Sequence, residues 1–266
     1  MWDPGQYARF ATERARPFGD LVARVSTTPA RVVDLGCGPG TLTRGLADRW
    51  PDAVVTGIDS SEAMWREAGR LAVPGRLEFL LADLTSWAPD APVDLVVANA
   101  VLHWVPGHVR LLGRLSSFLS DAGALAFQVP ANHREPSHTI VREVLASQRW
   151  TGRLGDLAEQ DAPVAEPRDY LAALLACGLV ADVWETTYLS LLAGEDPVLE
   201  WLSGTALRPA LARLDRDGQE ELRADLAPRL RHAYPAGEGG TVLPYRRIFA
   251  VGSRRAPRRR GGPQER

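Results

Sequence analysis

Short apolar runs alternate with amphipathic stretches through the first half of the chain. Val32-Val-Asp-Leu35, Val54-Val-Thr-Gly-Ile58, Leu77-Glu-Phe-Leu-Leu81, Asp94-Leu-Val-Val-Ala98 and Gly123-Ala-Leu-Ala-Phe-Gln-Val129 have the length and the β-branched or aromatic content of strands, and Pro130 stops the last. Thr41 to Trp50 reads as a helix, and residues 1–30 read as helical ahead of the first strand. Strand and helix patterns taking turns through Ala131 predict βαβ units and a doubly wound α/β sheet. Beyond Ala131 the rhythm changes. Residues 131–165 are broken up by Pro and Gly, with a short helix near Ser137–Trp150. Pro167 to Gly178 has Pro at its start and Gly at its end, the punctuation of a helix. Leu179 to Leu192 reads as a long strand, Pro197–Leu214 and Gly218–Ala233 as helical, and Thr241 to Val251 as a last strand. No repeat of fixed period is present.

The first strand runs straight into Gly36-Cys-Gly-Pro-Gly40. Glycines let the backbone turn sharply and let a ligand lie against it with no Cβ in the way. The spacing is G-x-G-x-G, not the G-x-G-x-x-G of dinucleotide folds, and Asp34 stands two residues before the first glycine. A carboxylate there repels a pyrophosphate and suits a ligand carrying an ammonium and a sulfonium. Asp59 ends the second strand about twenty residues further on, the offset at which an acid accepts from ribose hydroxyls. Asp83 follows the third strand and Asn99 ends the fourth. Each acid alone reads equally as a helix N-cap, and Ser60 and Ser61 are capping residues by type. Four polar groups at successive strand ends line one crevice of an open parallel sheet.

That set resembles the class I S-adenosylmethionine-dependent methyltransferases. The resemblance implies a mostly parallel seven-stranded sheet closed by an antiparallel last strand, with S-adenosyl-L-methionine as cofactor. Asp34 with the glycine loop (Gly36, Cys37, Gly38 and Gly40) would hold the methionine part, Asp59 the ribose, Asp83 with Leu84 the adenine edge and Asn99 the region beside the sulfonium, with Ser60 and Met64 also in the cofactor site. Residues 1–252 would form one domain with lid elements from 1–30, 131–165 and 194–240.

Composition narrows the picture further. The 266 residues carry a net charge of −2, which favours neither nucleic acid nor a membrane surface. Residues 253–266 hold six arginines against one glutamate and no apolar periodicity, so a disordered tail is expected. Cys37 and Cys177 are far apart and make no metal pattern, consistent with a reduced, cytoplasmic setting. No apolar run approaches membrane-spanning length. A small-molecule substrate and a monomer are expected.

The acceptor side is written more thinly. His103 and Trp104 follow Asn99 closely and are the candidates for catalytic or pocket-lining roles. Trp2-Asp-Pro-Gly-Gln-Tyr7, Arg49-Trp-Pro51, Gly57-Ile-Asp-Ser-Ser61, Gln128-Val-Pro with Pro136-Ser-His138, Gly204-Thr-Ala-Leu-Arg-Pro209 and the Leu-Pro-Tyr-Arg-Arg segment ending in Phe249 make a narrower resemblance, to the trans-aconitate 2-methyltransferase family. That family esterifies one carboxylate of a small tricarboxylate. A carboxylate is ionised at neutral pH and needs no general base. It does need cationic partners, and arginine offers a planar fork for two oxygens. Arg14, Arg134, Arg208, Arg246 and Arg247 are candidates, and the matched segments favour Arg208 and Arg246. Trp2, Tyr7 and Tyr245 would be walls or hydroxyl donors. Alternative acceptors on the same fold are a malonyl-carrier-protein carboxyl group or a natural product. A non-catalytic cofactor-binding scaffold would be expected to have lost one of the acids or glycines, and all are present.

Overall fold

The computed structural model describes residues 11–160 and 164–254. Five strands, β1 (Arg31–Leu35), β2 (Val54–Asp59), β3 (Leu77–Leu81), β4 (Val93–Asn99) and β5 (Leu119–Pro130), lie parallel in the order β3-β2-β1-β4-β5. The sheet continues through β8 (Gly240–Ser253), antiparallel to both neighbours, and ends at β6 (Val180–Leu192); the two-residue β7 (Ala236–Gly237) pairs with β8. The chain winds outward from β1 to β3, then returns to β4 on the other side of β1. That reversal opens a crevice above the carboxyl ends of β1 and β4.

Strand alternation sends successive side chains to opposite faces. On one face Val32, Val55, Leu95, Val97 and Ala126 pack beneath α1 (Ala11–Ala23), α2 (Thr41–Arg49) and α3 (Glu62–Gly69). On the other, Val33, Ile58, Val96, Ala98, Phe127 and Ile248 pack beneath α4 (His108–Ser117) and α7 (Pro167–Ala176). The start of α7 is pinned by Pro167 and a reciprocal capping box between Glu166 and Asp169.

A third apolar cluster belongs to helices above the ends of β5 and β8: α5 (Pro136–Leu145), α6 (Thr151–Gln160), α8 (Pro197–Ser203), α9 (Arg208–Ala212) and α10 (Arg216–Ala233). Trp150 and Leu154 are fully buried there, and Leu192, Leu243 and Tyr245 tie the cluster to the sheet.

The sheet runs through the seven strands expected, with the two-residue β7 as an added hairpin partner of β8. Other expectations change. β5 starts at Leu119, four residues before Gly123, behind a register irregularity opposite Val93 and Leu95. The single helix expected near Ser137–Trp150 ends at Leu145, and α6 follows where Gly152 and Gly155 suggested breaks; burial of Trp150 and Leu154 outweighs the glycine penalty of about 1 kcal/mol each. Pro197–Leu214 is two helices broken at Gly204. Trp2, Tyr7 and the tail from Arg255 onward lie outside the described residues.

Candidate active site

The glycine loop is built by the backbone conformations that only glycine adopts cheaply. Gly36 and Gly38 have φ +67° and +56°. A Cβ on Gly36 would sit 2.3 Å from Cγ2 of Val101, so the loops after β1 and β4 touch across the crevice. A Cβ on Gly38 would meet nothing within 4 Å. That open face is where a ligand can lie against the chain. The backbone N–H groups of Gly36 and Cys37 donate to the Ile58 carbonyl at 2.7 and 3.0 Å, which fixes the loop to the end of β2.

The acids then take distinct places. Asp59 accepts from the Gly38 N–H through Oδ2 (2.9 Å) and from the Ser61 N–H through Oδ1 (2.8 Å), so it joins the loop to the start of α3. Ser61, not Ser60, caps that helix by accepting from the Met64 N–H, and Met64 is buried behind it. Asp34 is buried under the loop and accepts from the Thr43 hydroxyl at 2.7 Å. Burial pushes its carboxyl up to about 7, against the Thr43 hydrogen bond that favours the ionised form. Burial and the neighbouring Asp34 also push the Cys37 thiol up, so it stays protonated. Asp83 is exposed, and the N–H and hydroxyl of Thr85 hold its carboxyl below the usual carboxylate range. Arg114 donates to the carbonyls of Leu84, Thr85 and Trp87 and staples this segment in place.

The set fits a cationic, nucleoside-bearing ligand and not a pyrophosphate. Three acids stand at the ends of β1, β2 and β3, and Arg44, the first basic residue after the loop, turns to Asp48 at 3.0 Å. The buried Asp34 has a measurable consequence. Its folded pKa lies above its unfolded value of 3.8, so the native state holds the extra proton between the two. Stability therefore falls as pH rises from about 4 to about 7 and is flat above, by about 4 kcal/mol at most. Urea unfolding of ligand-free wild type and Asp34→Asn at pH 5 and pH 8 checks this. The wild type loses ground to the variant at pH 8, and a pH-independent difference would remove the buried acid from the account.

Beside this cradle lies a cavity of about 890 Å³ between the ends of β4, β5 and β8 and the helices above them. Its lining includes Arg142, Arg247 and four histidines, His103, His108, His133 and His138; no aspartate or glutamate lines it among the described residues. On the sheet side a row of side chains crosses three strands. Arg247 donates to Oε1 of Gln128 at 3.0 Å, and Nε2 of Gln128 donates to Oδ1 of Asn99 at 2.6 Å. Gln128 and Arg247 are buried, and the guanidinium lies over the Tyr245 ring at 4.6 Å. The row runs from the cavity to Asn99, whose neighbour Ala100 has φ 53°, a left-handed conformation rare outside glycine.

His103 and Trp104 stand at the mouth, in a short 3₁₀ turn. Trp104 is 47% exposed and forms the rim. Burial, with Arg247, His108 and His138 nearby, lowers the His103 pKa to about 3, so the ring is neutral at physiological pH. Its Nδ1 is buried without a hydrogen-bond partner among the described residues. Nε2 of His108 is 2.6 Å from the Tyr170 hydroxyl.

Residues 32–123 match a family described as "Methyltransferase domain". The trans-aconitate 2-methyltransferase of Streptomyces avermitilis is 52% identical over 262 residues, which cover 96% of this chain and 97% of that protein. The chain belongs to the trans-aconitate 2-methyltransferase family. The Rhodococcus jostii member is 46% identical over 254 residues, covering 94% of this chain and 98% of that one. Among solved structures, the YcgJ protein of Bacillus subtilis superposes with a TM-score of 0.59 at 14% identity, covering 91% of this chain and 100% of that one. Geranyl diphosphate C-methyltransferase of Streptomyces coelicolor gives 0.55 at 15% identity, over 94% and 82%. These two likenesses concern the fold alone.

In this methyltransferase the fold gathers Asp34, the glycine loop, Asp59 and Asn99 at neighbouring strand ends. Leu84 packs half-buried against the α4 face of the sheet, and Ser60 is exposed. The adjacent arginines of β8 part company. Arg247 shares a face with Tyr245 and lines the cavity; Arg246 points the other way, onto Glu185 and Glu166. Arg247, and not the favoured Arg246, lines the cavity, because a step of one residue along a strand is a change of face. Tyr245 carried the signal, because its face-mate two residues on is Arg247. Arg208 heads α9 between cavity-lining Ala206 and Pro209, and is not itself among the lining residues. Asn132, His133 and Arg142 carried no sequence signal.

Proposed function

We propose that this chain transfers a methyl group from S-adenosylmethionine to one carboxylate of a small tricarboxylate, trans-aconitate, and releases a monomethyl ester. The observation that carries the reading is the cavity beside Asn99, to which Arg142 and Arg247 bring positive charge and which no acid lines among the described residues. A polyanion is attracted into such a space, and a cation or neutral aliphatic acceptor gains nothing from it.

S-adenosylmethionine, when bound, supplies a methyl group on a cationic sulfur, and its transfer to a carboxylate oxygen leaves a neutral thioether and a neutral ester with no proton to move. Asp59 and the open face of Gly38 would hold the ribose side, Asp34 the ammonium side beneath the loop, and Asp83 with Leu84 the adenine edge. A cation beside Asp34 favours its ionised form, so binding expels a proton below about pH 7. On the acceptor side Arg247 presents a buried guanidinium, held by Gln128 and the Tyr245 ring so that its direction is set before the substrate arrives. Neutral His103 adds a hydrogen-bonding ring without a second charge to desolvate. Trp104 at the rim helps shut out water, which a hydrated carboxylate must lose before it attacks. Orientation of this kind supplies about 7–11 kcal/mol in well-aligned reactions.

The test is direct. Purified protein is given radiolabelled S-adenosylmethionine with trans-aconitate, cis-aconitate, citrate and crotonate, and base-labile methyl ester is counted. The expected order puts trans-aconitate first by kcat/KM. Esterification of crotonate as efficiently as of trans-aconitate would overturn the reading.

A further inference from the structure

Three side chains at the strand ends hand an orientation from one to the next. The Arg247 guanidinium carries only donors, so the Gln128 atom that meets Nη1 at 3.0 Å is the carbonyl oxygen Oε1. That leaves Nε2 of Gln128 to donate. It does so at 2.6 Å to Asn99, whose nearer atom is therefore Oδ1. Gln128 is buried, and its backbone carbonyl accepts from the Ala100 N–H at 3.0 Å, so the ends of β4 and β5 are joined through side chain and main chain alike.

With Oδ1 committed to Gln128, Asn99 turns its NH₂ group outward. Asn99 is half-buried and lines the cavity; its Nδ2 is accessible, and no described residue accepts from it. The sequence expectation placed Asn99 beside the sulfonium of the cofactor. A cationic sulfur with its polarised methyl favours an oxygen, and the oxygen of this amide is turned away. An NH₂ group favours an anion. It carries no net charge, so it stands close to a sulfonium at little cost, where an arginine or lysine would be repelled.

We infer that Asn99 serves the acceptor: its Nδ2 donates to one oxygen of the carboxylate being methylated, and Gln128 is the positioning residue that keeps the donor turned toward it. This rests on the small-tricarboxylate reading above. Held by one oxygen, the carboxylate has the other free to attack. A lone pair of that oxygen forms the O–CH₃ bond as the S–CH₃ bond breaks, the electron pair of the broken bond stays on sulfur, and no proton moves. The donor grips the charged carboxylate more tightly than the neutral ester, so it contributes to capture and alignment of the acceptor and loosens on the product. The amino-acid carboxylate of the cofactor offers the same chemistry, and the experiment separates the two.

Asn99→Ala and Asn99→Asp are compared by steady-state kinetics with trans-aconitate and by calorimetry with S-adenosylhomocysteine. Aspartate keeps the shape of the side chain and the oxygen that accepts from Gln128, and puts a negative oxygen where the donor stood. Asn99→Ala is expected to lower kcat/KM for trans-aconitate by about tenfold or more, most of it in KM, the scale of one hydrogen bond to a charged group. Asn99→Asp is expected to lose about tenfold beyond that, because like charges now meet. Both keep their affinity for S-adenosylhomocysteine within about threefold of wild type. Gln128→Glu turns the Asn99 amide, since a carboxylate accepts only from its NH₂ end; kcat/KM falls, and falls by less when Asn99 is already alanine. Asn99→Asp as active as Asn99→Ala would put the amide oxygen against the cation, and a loss of S-adenosylhomocysteine affinity matching the rise in KM would put the donor on the cofactor; either overturns the assignment. Strictly additive losses in Gln128→Glu and Asn99→Ala would remove Gln128 as the positioning residue. Asn99 is half-buried at a strand end, so its two variants decide the assignment even if Gln128→Glu does not fold. A wild-type protein that does not esterify trans-aconitate would instead sink the reading of the acceptor on which the assignment rests.

Discussion

Arg247→Met lowers kcat/KM for trans-aconitate by about a hundredfold to a thousandfold, the range for removing one partner of a buried, hydrogen-bonded charge pair at about 2–5 kcal/mol. The loss has two sources. The acceptor carboxylate enters a buried space without its strongest partner. The row behind the guanidinium also comes apart, because Gln128 loses the donor to its Oε1 and with it the restraint on the amide that fixes Asn99. The effect divides between KM and kcat, since Asn99 stands beside the transferred methyl in the proposed arrangement. Arg246→Met is the control one residue away. Arg246 pairs with Glu185 and Glu166 on the opposite face, partly in solvent, and such pairs contribute about 0–1 kcal/mol. Its kcat/KM stays within about threefold of wild type. Steady-state kinetics on both variants decide the matter, and similar losses in the two would mean that the face assignment of β8 does not set the acceptor site.

Gly36→Ala and Gly38→Ala separate folding from binding, although both replace a glycine at positive φ. At Gly36 the added methyl costs about 1–2 kcal/mol for the left-handed backbone. It also collides with Val101 at 2.3 Å, an overpacking that costs about 1–3 kcal/mol more. Against a total domain stability of about 5–15 kcal/mol the sum is severe. Urea unfolding is expected to shift strongly, and Val101→Gly in the same chain recovers more of the loss than Val101→Ala, because the Cβ that alanine keeps also stands 2.6 Å from the added methyl. At Gly38 only the backbone cost applies, because the methyl meets nothing. The variant folds, but the methyl occupies the surface on which the cofactor would lie. Calorimetric affinity for S-adenosylmethionine drops by about thirty-fold or more, roughly 2 kcal/mol. An unchanged affinity in Gly38→Ala would move the cofactor off this face of the loop, and a Gly36→Ala protein as stable as wild type would contradict the contact between the two loops.

The split between what was legible and what was not follows the range of the forces involved. The first four strands could be read because each announces itself in five to seven consecutive residues and has a glycine or polar residue at its end or within two residues beyond it. α7 could be read because Pro167 and Gly178 punctuate it within the chain. The helices above the sheet were harder. α6 carries two glycines and exists because Trp150 and Leu154 find partners on α5 and α10, far along the sequence. Ser60 and Ser61 are equivalent by type as caps of α3, and only the path of the backbone out of β2 selects Ser61.

Taken alone, the chain's order of residues determined the winding of the sheet, the glycine cradle and the acids at the strand ends, because period, turn chemistry and strand termini are properties of neighbours in sequence. The cavity beside Asn99 belongs to the tertiary structure. Its walls come from β4, β5, β8 and α5, joined by pairings such as Pro130 with Arg247 that span more than a hundred residues. Whether Arg246 or Arg247 faces inward was settled by the pleat and register of β8, and no local rule distinguishes two adjacent arginines until the strand is paired. The open donor on Asn99 points outward only because Arg247 fixes the Gln128 amide between them, a consequence of distant segments meeting.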